Sequence, residues 1–264
     1  MIVSLLFEHR GDAVTTSRPP LLARPRLLRR LDQSLQRRLT IVHADAGFGK
    51  STTLEAWAVT APAVWYAIGR DDTGLAMFTM GIASAFERRM PAVSRKLRLV
   101  VQASLGPDGD ESDRAAPVAT LLCQALDEEL DDELALVLDD VHELWGTGAS
   151  ALLLEALCRQ APDRLHIVLS TRTEPPFPVQ RLRGRGEVLD LDAAALAFSE
   201  DEVGELVTRT LGGEGADLAR RIHALTGGWP AAVRLTAEAL RTVPASRRAE
   251  TLEVLQRPGG RLLD

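Results

Sequence analysis

One glycine-bearing loop limits the possible folds of this chain more than any other sequence feature. Residues 44–52 read ADAGFGKST and follow the apolar run Leu39–Val42 after one intervening residue, His43. The apolar run predicts a strand, and the residues from Thr52 to Val59 predict a helix. A glycine-bearing loop between a strand and a helix N-terminus can cradle a phosphate, because backbone N–H groups and the helix dipole both favour an anion there. The glycine that opens the strict form of this motif is replaced by Ala44.

The loop supplies the residue types that bind a nucleoside triphosphate and its metal. We expect Lys50 to reach the β- and γ-phosphates and the Ser51 hydroxyl to bind Mg²⁺, although a serine here also suits a helix N-cap. Thr52 belongs to the helix N-terminus and could contact the α-phosphate. The predicted nucleotide contacts in the loop are Ala46, Gly47, Phe48, Gly49, Lys50, Ser51 and Thr52.

Further apolar runs, alternating with helical spacing, predict an α/β fold with a doubly wound, mostly parallel sheet. The predicted strands are Leu39–Val42, Ala63–Ile68, Leu134–Leu138, Leu165–Leu169 and Glu187–Leu191. One predicted helix, Leu75–Met90, is expected to stop at Pro91. Ligands of such sheets bind at the carboxyl ends of the strands, where the glycine loop and two polar clusters fall.

The first polar cluster is Asp139-Asp140, which follows the buried strand ending at Leu138. We predict that Asp139 binds Mg²⁺, directly or through water, and that Asp140 positions an attacking water. The alternative is an ordinary strand-end turn, where Asp is common. The second polar cluster is Ser170-Thr171-Arg172, which follows the next predicted strand. Its Arg172 could sense a γ-phosphate, and the alternative is an ordinary surface arginine. Lys50, Asp139, Asp140 and Arg172 are thus the catalytic candidates.

No strand is predicted after residue 193. Ser199 is expected to cap a helix at 200–211, with Glu202 completing a capping box, and two further helices flank the turn Thr226–Pro230. We predict three parts: a loosely ordered lead-in at 1–20, a nucleotide-binding α/β domain at 21–192 and a small helical lid domain at 193–264.

The composition argues against several classes of protein. The 264 residues carry a formal charge of −6, which argues against a dedicated nucleic-acid surface on this chain. Cys123 and Cys158 fall in separate helical patterns, so they predict buried thiols of a reducing compartment. No apolar run approaches a membrane span, and the N-terminal apolar run is too short for a signal sequence. We therefore expect a cytoplasmic protein without a membrane partner.

The ordered set of motifs resembles the nucleotide-binding module of STAND ATPases. Within that class it is similar to the large ATP-binding LuxR-type (maltose-activator-like) bacterial transcriptional regulators, in which Ala or Ser often stands where Ala44 does. The residues that carry the resemblance, which runs from about Arg18 to the end, are 24–28 (RPRLL), 46–52 (AGFGKST), 138–142 (LDDVH), 170–172 (STR), 182–185 (LRGR), 196–199 (LAFS) and 227–230 (GGWP).

The resemblance implies that Arg24 lies beside the adenine and that Pro230 packs on the base. It also implies a switch, in which ADP holds a closed monomer and ATP with an inducer permits self-association. Members of the family continue into a winged helix, a helical-repeat sensor and a helix-turn-helix. The chain stops about where the winged helix is expected, so we expect any DNA contact to be made only by such further domains.

Three functions remain open from the sequence. The first is an ATP/ADP-binding switch with slow hydrolysis, serving a signal-responsive regulator and using Mg²⁺. The second is a phosphotransferase acting on a small molecule, although the helical part supplies few arginines for a lid over the γ-phosphate. The third is an interaction scaffold that holds a nucleotide without hydrolysing it.

Overall fold

A computed structural model describes residues 22–104, 110–146, 148–212 and 216–256, within which five strands form one sheet. The strands are β1 (Leu39–His43), β2 (Ala63–Ala67), β3 (Leu134–Asp139), β4 (Leu165–Thr171) and β5 (Val188–Leu191). Their spatial order is β2-β3-β4-β1-β5, and every neighbouring pair is parallel. The predicted α/β fold is confirmed, with a fully parallel sheet.

Helices cover both faces of the sheet, because the side chains of a buried strand alternate between its faces. In β3, Leu136 lies in a core cluster with Phe78, whereas Val137 lies in another with Trp57. The helices of this part are α1 (Pro25–Leu31), α2 (Lys50–Ala58), α3 (Leu75–Ala85), α4 (Pro91–Ser104), α5 (Glu111–Asp127), α6 (Ala149–Gln160), α7 (Gln180–Gly184) and α8 (Ala193–Leu196), with 3₁₀ turns at Asp32–Gln36, Arg70–Thr73 and Val141–Leu144.

The remaining helices form what we call the helical region: α9 (Glu200–Leu211), α10 (Ala216–Thr226), α11 (Pro230–Arg241) and α12 (Ala245–Gln256). The capping box predicted at α9 is present, since Ser199 Oγ accepts from the Glu202 N–H and the Glu202 carboxylate accepts from the Ser199 N–H. The helical region has a core cluster of its own, which includes Val207, Ile222 and Val233. The predicted lead-in at 1–20 lies outside the described residues.

Pro91 begins a helix instead of ending one, so that prediction was wrong. The helix predicted to run to Met90 ends at Ala85, and α4 starts at Pro91. Proline suits the first position of a helix, where its missing N–H would have no intrahelical acceptor. The helix α12 was not predicted, because its mixed composition carries a weak apolar period.

Candidate functional site

The loop between β1 and α2 is shaped by two glycines in the left-handed backbone region. Gly47 has φ 80° and Gly49 has φ 73°, values that residues with a Cβ rarely adopt. Gly49 is the N-cap of α2, so Lys50 is the first helical residue. A Cβ added at Gly49 would meet no described atom within 4 Å, so this glycine is required by its backbone angle and not by lack of space.

Lys50 is buried under the loop that precedes it. Its Nζ donates to the backbone oxygens of Ala44 at 2.6 Å and of Asp45 at 3.0 Å. Burial lowers the pKa of the Lys50 amine, and the nearby Asp140 carboxylate opposes that shift. The amine therefore adds positive charge at the same loop whose glycines and helix N-terminus favour an anion.

Asp139 is the last residue of β3, and its side chain is buried, with 5% of the residue exposed. Burial raises the pKa of this carboxyl, while the hydroxyls of Ser170 and Ser51 and the N–H of Asp140 oppose the rise. The Asp140 N–H donates to Asp139 Oδ1 at 3.1 Å. The structure thus brings Ser51 and Asp139, both predicted metal ligands, to one place at the end of the sheet.

Asp140 has φ 58° and is the one residue other than glycine with a positive φ in the described part of the chain. His142 Nδ1 lies 3.8 Å from Asp140 Oδ1. Burial lowers the pKa of the His142 imidazole, an effect that Asp140 opposes and that Arg172 and Lys50 reinforce. His142 therefore adjoins the predicted site.

Arg172 directly follows β4 and has an exposed side chain. His43, at the end of β1, hydrogen-bonds the Arg172 backbone oxygen at 3.0 Å through Nε2. On the other side, the Trp145 indole N–H donates to the Thr173 hydroxyl at 2.9 Å. These contacts hold the chain on both sides of Arg172 in place. The positive charge of Arg172, together with burial, lowers the pKa of Lys50.

A cavity of about 360 Å³ opens between the loop and the helical region. This volume falls in the range of small-molecule sites. Its wall includes Pro230 and Thr52, both predicted to contact the nucleotide. The lining residues are Leu22, Arg24, Gly47, Gly49, Thr52, Thr53, Glu55, Phe198, Pro230, Ala231 and Arg234.

Arg24 lines this cavity, yet its guanidinium is engaged elsewhere. Its Nη2 donates to the backbone oxygens of Leu196 at 2.8 Å and Ala197 at 2.9 Å, and to the Glu202 carboxylate at 3.1 Å. The guanidinium also lies 4.7 Å from the centre of the Phe198 ring. These bonds join Arg24 to the chain that leads into α9, a role that sequence reasoning did not anticipate.

The helical region contacts the loop directly at the N-terminus of α11. The Trp229 indole N–H donates to the Ala46 oxygen at 3.2 Å, and the Ala231 N–H donates to the Gly47 oxygen at 3.1 Å. The rings of Phe48 and Trp229 are stacked at 6.3 Å. Sequence reasoning noted the turn at 227–230 but not this contact, for which the Gly-Trp-Pro motif was the available signal.

Known proteins match the chain along most of its length. The serine/threonine-protein kinase PknK of Mycobacterium tuberculosis (strain ATCC 25618 / H37Rv) is 32% identical over 230 residues, which are 84% of this chain and 20% of PknK. The HTH-type transcriptional regulator MalT of Yersinia enterocolitica is 27% identical over 222 residues, 81% of this chain and 23% of MalT. The chain is homologous to one segment of these proteins. It spans about a fifth of the length of each.

A solved structure has a similar fold. The Walker-type ATPase PABY2304 of Pyrococcus abyssi superposes with a TM-score of 0.51 at 14% identity, covering 89% of this chain and 74% of that one. At this identity the likeness concerns the fold alone, a parallel sheet with flanking helices. No protein-family model matches the chain.

The predicted resemblance to the ATP-binding LuxR-type regulators is confirmed by the homology to MalT. None of the helices in the described ranges is both long and apolar enough to cross a membrane. Those ranges also hold no group of three or more His, Cys, Asp or Glu side chains that could bind a metal by themselves. A Mg²⁺ site at Ser51 and Asp139 would therefore need further oxygen ligands from phosphates and water, as Mg²⁺ commonly has.

Proposed function

We propose that this chain is an ATP/ADP-binding switch module that hydrolyses ATP slowly and serves a signal-responsive transcriptional regulator. The observation that carries the proposal is the meeting of three features at one loop. Lys50 packs beneath the loop, Ser51 and Asp139 lie together beside it, and the helical region bonds its backbone at Ala46. A ligand bound to this loop would therefore touch both parts of the molecule.

The loop residues fit a phosphate chain. Gly47 and Gly49 both have a positive φ, a backbone conformation that can turn successive N–H groups toward an anion. The helix α2 begins at Lys50 and adds the positive end of its dipole. Lys50 would exchange its two carbonyl bonds for phosphate oxygens. We assign the backbone contacts to Ala46, Gly47, Phe48 and Gly49, with Lys50, Ser51 and Thr52 closing the cradle.

The acidic end of β3 fits Mg²⁺. Ser51 and Asp139 would bind the ion, which when bound neutralises phosphate charge. Asp140 would hold the attacking water, and Arg172 would contact the γ-phosphate and report its presence. The cavity beside Pro230 would accept the adenine, with Arg24 forming part of its wall.

The regulatory role rests on the relatives. MalT is an HTH-type transcriptional regulator, and the chain corresponds to about a fifth of its length. We propose that the present protein acts in the cytoplasm, that its ATP-bound form self-associates, and that any DNA is bound through other domains. We also propose that residues 21–192 act as the nucleotide-binding domain and residues 193–264 as its lid.

Ligand-induced stabilisation tests the proposal. Mg-ATP or Mg-ADP at 100 times its Kd should stabilise the protein by about 2.7 kcal/mol. For a chain of this size the melting temperature should then rise by about 5–10 °C. Lys50→Ala should abolish the rise. Lys96→Ala should preserve it, because Lys96 lies on α4 and pairs with Glu128 and Glu129. An equal rise in the wild type and Lys50→Ala, or no rise in the wild type, would overturn the proposal.

Turnover measurements separate the alternatives. Slow release of phosphate from ATP, with no transfer to metabolites, is the expected result. Transfer to a small molecule at about 1 s⁻¹ or faster would indicate a phosphotransferase. Binding without phosphate release above background would indicate a nucleotide-holding scaffold.

A further inference from the structure

The N-terminus of α11, from its N-cap Trp229 to Ala231, donates hydrogen bonds to two consecutive carbonyl groups of the glycine loop. Trp229 Nε1–H donates to Ala46 O at 3.2 Å, and the Ala231 N–H donates to Gly47 O at 3.1 Å. Phe48, the next loop residue, stacks its ring on the Trp229 indole. Three successive loop residues therefore contact one short segment of the helical region.

These hydrogen bonds also determine where the N–H group of each peptide points. A trans peptide is planar, and its C=O and N–H point in opposite directions. When the oxygens of Ala46 and Gly47 are held toward the helical region, the N–H groups of Gly47 and Phe48 must face away from it. With their carbonyl partners held in this way, those two N–H groups can donate to an anion bound by the loop.

Steric contact reinforces the hydrogen bonds. A Cβ added at Gly47 would lie 2.7 Å from Ala231 Cβ and 2.9 Å from Trp229 Nε1. The loop backbone therefore approaches the helical region as closely as a glycine allows. The loop cannot rotate these peptides without displacing the Trp229–Ala231 segment, and the segment cannot leave without releasing the peptides.

We propose that Trp229 is a positioning residue of the phosphate site, which presets the loop N–H groups for phosphate and couples their occupancy to the helical region. This inference rests on the proposed function, because it assumes that the loop binds a nucleotide. The residues that line the cavity in the described part of the chain include Pro230 and Ala231 but not Trp229. Trp229 thus acts on the ligand through the loop. Its substitution should change the affinity for the phosphates of the ligand and not the affinity for its base.

Binding of ADP and of adenosine to Trp229→Phe tests this role. The phenyl ring keeps an aromatic surface for Phe48 but lacks the indole N–H. We expect ADP affinity to fall about 2- to 10-fold, the contribution of one hydrogen bond, with adenosine affinity unchanged. Trp65→Phe is the matched control, because it makes the same substitution on the edge strand β2 and should leave both affinities unchanged.

Amide hydrogen exchange of the wild type gives a second measurement that needs no variant. ADP should slow exchange at Ala231, whose N–H is bonded to Gly47 O, together with exchange in the loop. Equal loss of ADP and adenosine affinity in Trp229→Phe, no loss of either, or protection of the loop without Ala231 would overturn the inference. Failure of the wild type to bind ADP would instead overturn the proposed function.

Discussion

Two buried carboxylates, Glu202 at the first turn of α9 and Asp139 at the end of β3, have opposite pKa shifts. Burial alone would raise the pKa of Glu202, but hydrogen bonds from Arg24, Arg26 and the Ser199 N–H hold it below its usual value. Burial raises the pKa of Asp139, and its hydroxyl and N–H neighbours do not fully offset this. Glu202 is therefore satisfied by the protein itself, whereas the charge of Asp139 is incompletely compensated by the described residues.

We infer from this difference that Glu202 has a structural role and that Asp139 serves the proposed metal site. Glu202 accepts from the two arginines at 3.0–3.2 Å and joins α9 to the chain around α1. Asp139 stands at the end of β3, where its destabilising charge would be matched by a bound cation. Incompletely compensated charge is typical of functional sites, because the missing partner is the ligand.

The largest expected effect is a loss of stability when Glu202 is replaced. Glu202→Ala should lower the free energy of unfolding by about 3–5 kcal/mol, since it leaves the buried Arg24 guanidinium without its anion. Urea unfolding measures this value. The control Glu205→Ala removes an exposed pair with Arg209 and should cost under about 1 kcal/mol. Equal losses in the two variants would refute a special role for Glu202.

The pH dependence of stability should follow from the lowered pKa of Glu202. A carboxylate with a lowered folded pKa stabilises the fold above its unfolded pKa, about 4.3, and loses that contribution as the pH falls through its folded pKa. The difference in unfolding free energy between wild type and Glu202→Gln should therefore be large near pH 7 and shrink below about pH 4. A difference that stays constant over this range would contradict the assignment.

A smaller effect of opposite sign is expected at Asp139. Its raised pKa means that the ionised carboxylate destabilises the fold once the pH exceeds the unfolded pKa, about 3.9. Asp139→Asn should therefore raise the ligand-free unfolding free energy near pH 7 by roughly 0.5–2 kcal/mol, as substitutions that relieve functional strain commonly do. Asp132→Asn, at an exposed acid just before β3, should change it by less than about 0.5 kcal/mol. A clear loss of stability in Asp139→Asn would show that the carboxylate is structural.

The sequence predicted the local structure around Asp139 better than the contacts of Glu202. Strands and their carboxyl ends follow from local apolar runs, so the sheet and the cluster of Lys50, Ser51 and Asp139 could be placed in advance. The capping box of α9 was also predicted, because it depends on residues three apart. Arg24 and Glu202 are 178 positions apart, and no local pattern pairs them.

The contact between Trp229 and Ala46 was beyond prediction for the same reason, since 183 positions separate the two residues. The resemblance drew attention to the turn that contains Trp229 and Pro230, but it assigned importance to the proline. The helix α4 was missed because a proline was taken as a stop. Whether a proline ends one helix or begins another depends on how the flanking segments pack.

The affinity of ADP with and without Mg²⁺ tests the central claim most directly. If the charge of Asp139 is completed by a cation that also binds phosphate, Mg²⁺ should tighten ADP binding by the wild type and not by Asp139→Asn. Titration calorimetry of both proteins at one ionic strength gives the four affinities. An equal gain from Mg²⁺ in both proteins, or no gain in the wild type, would contradict the account.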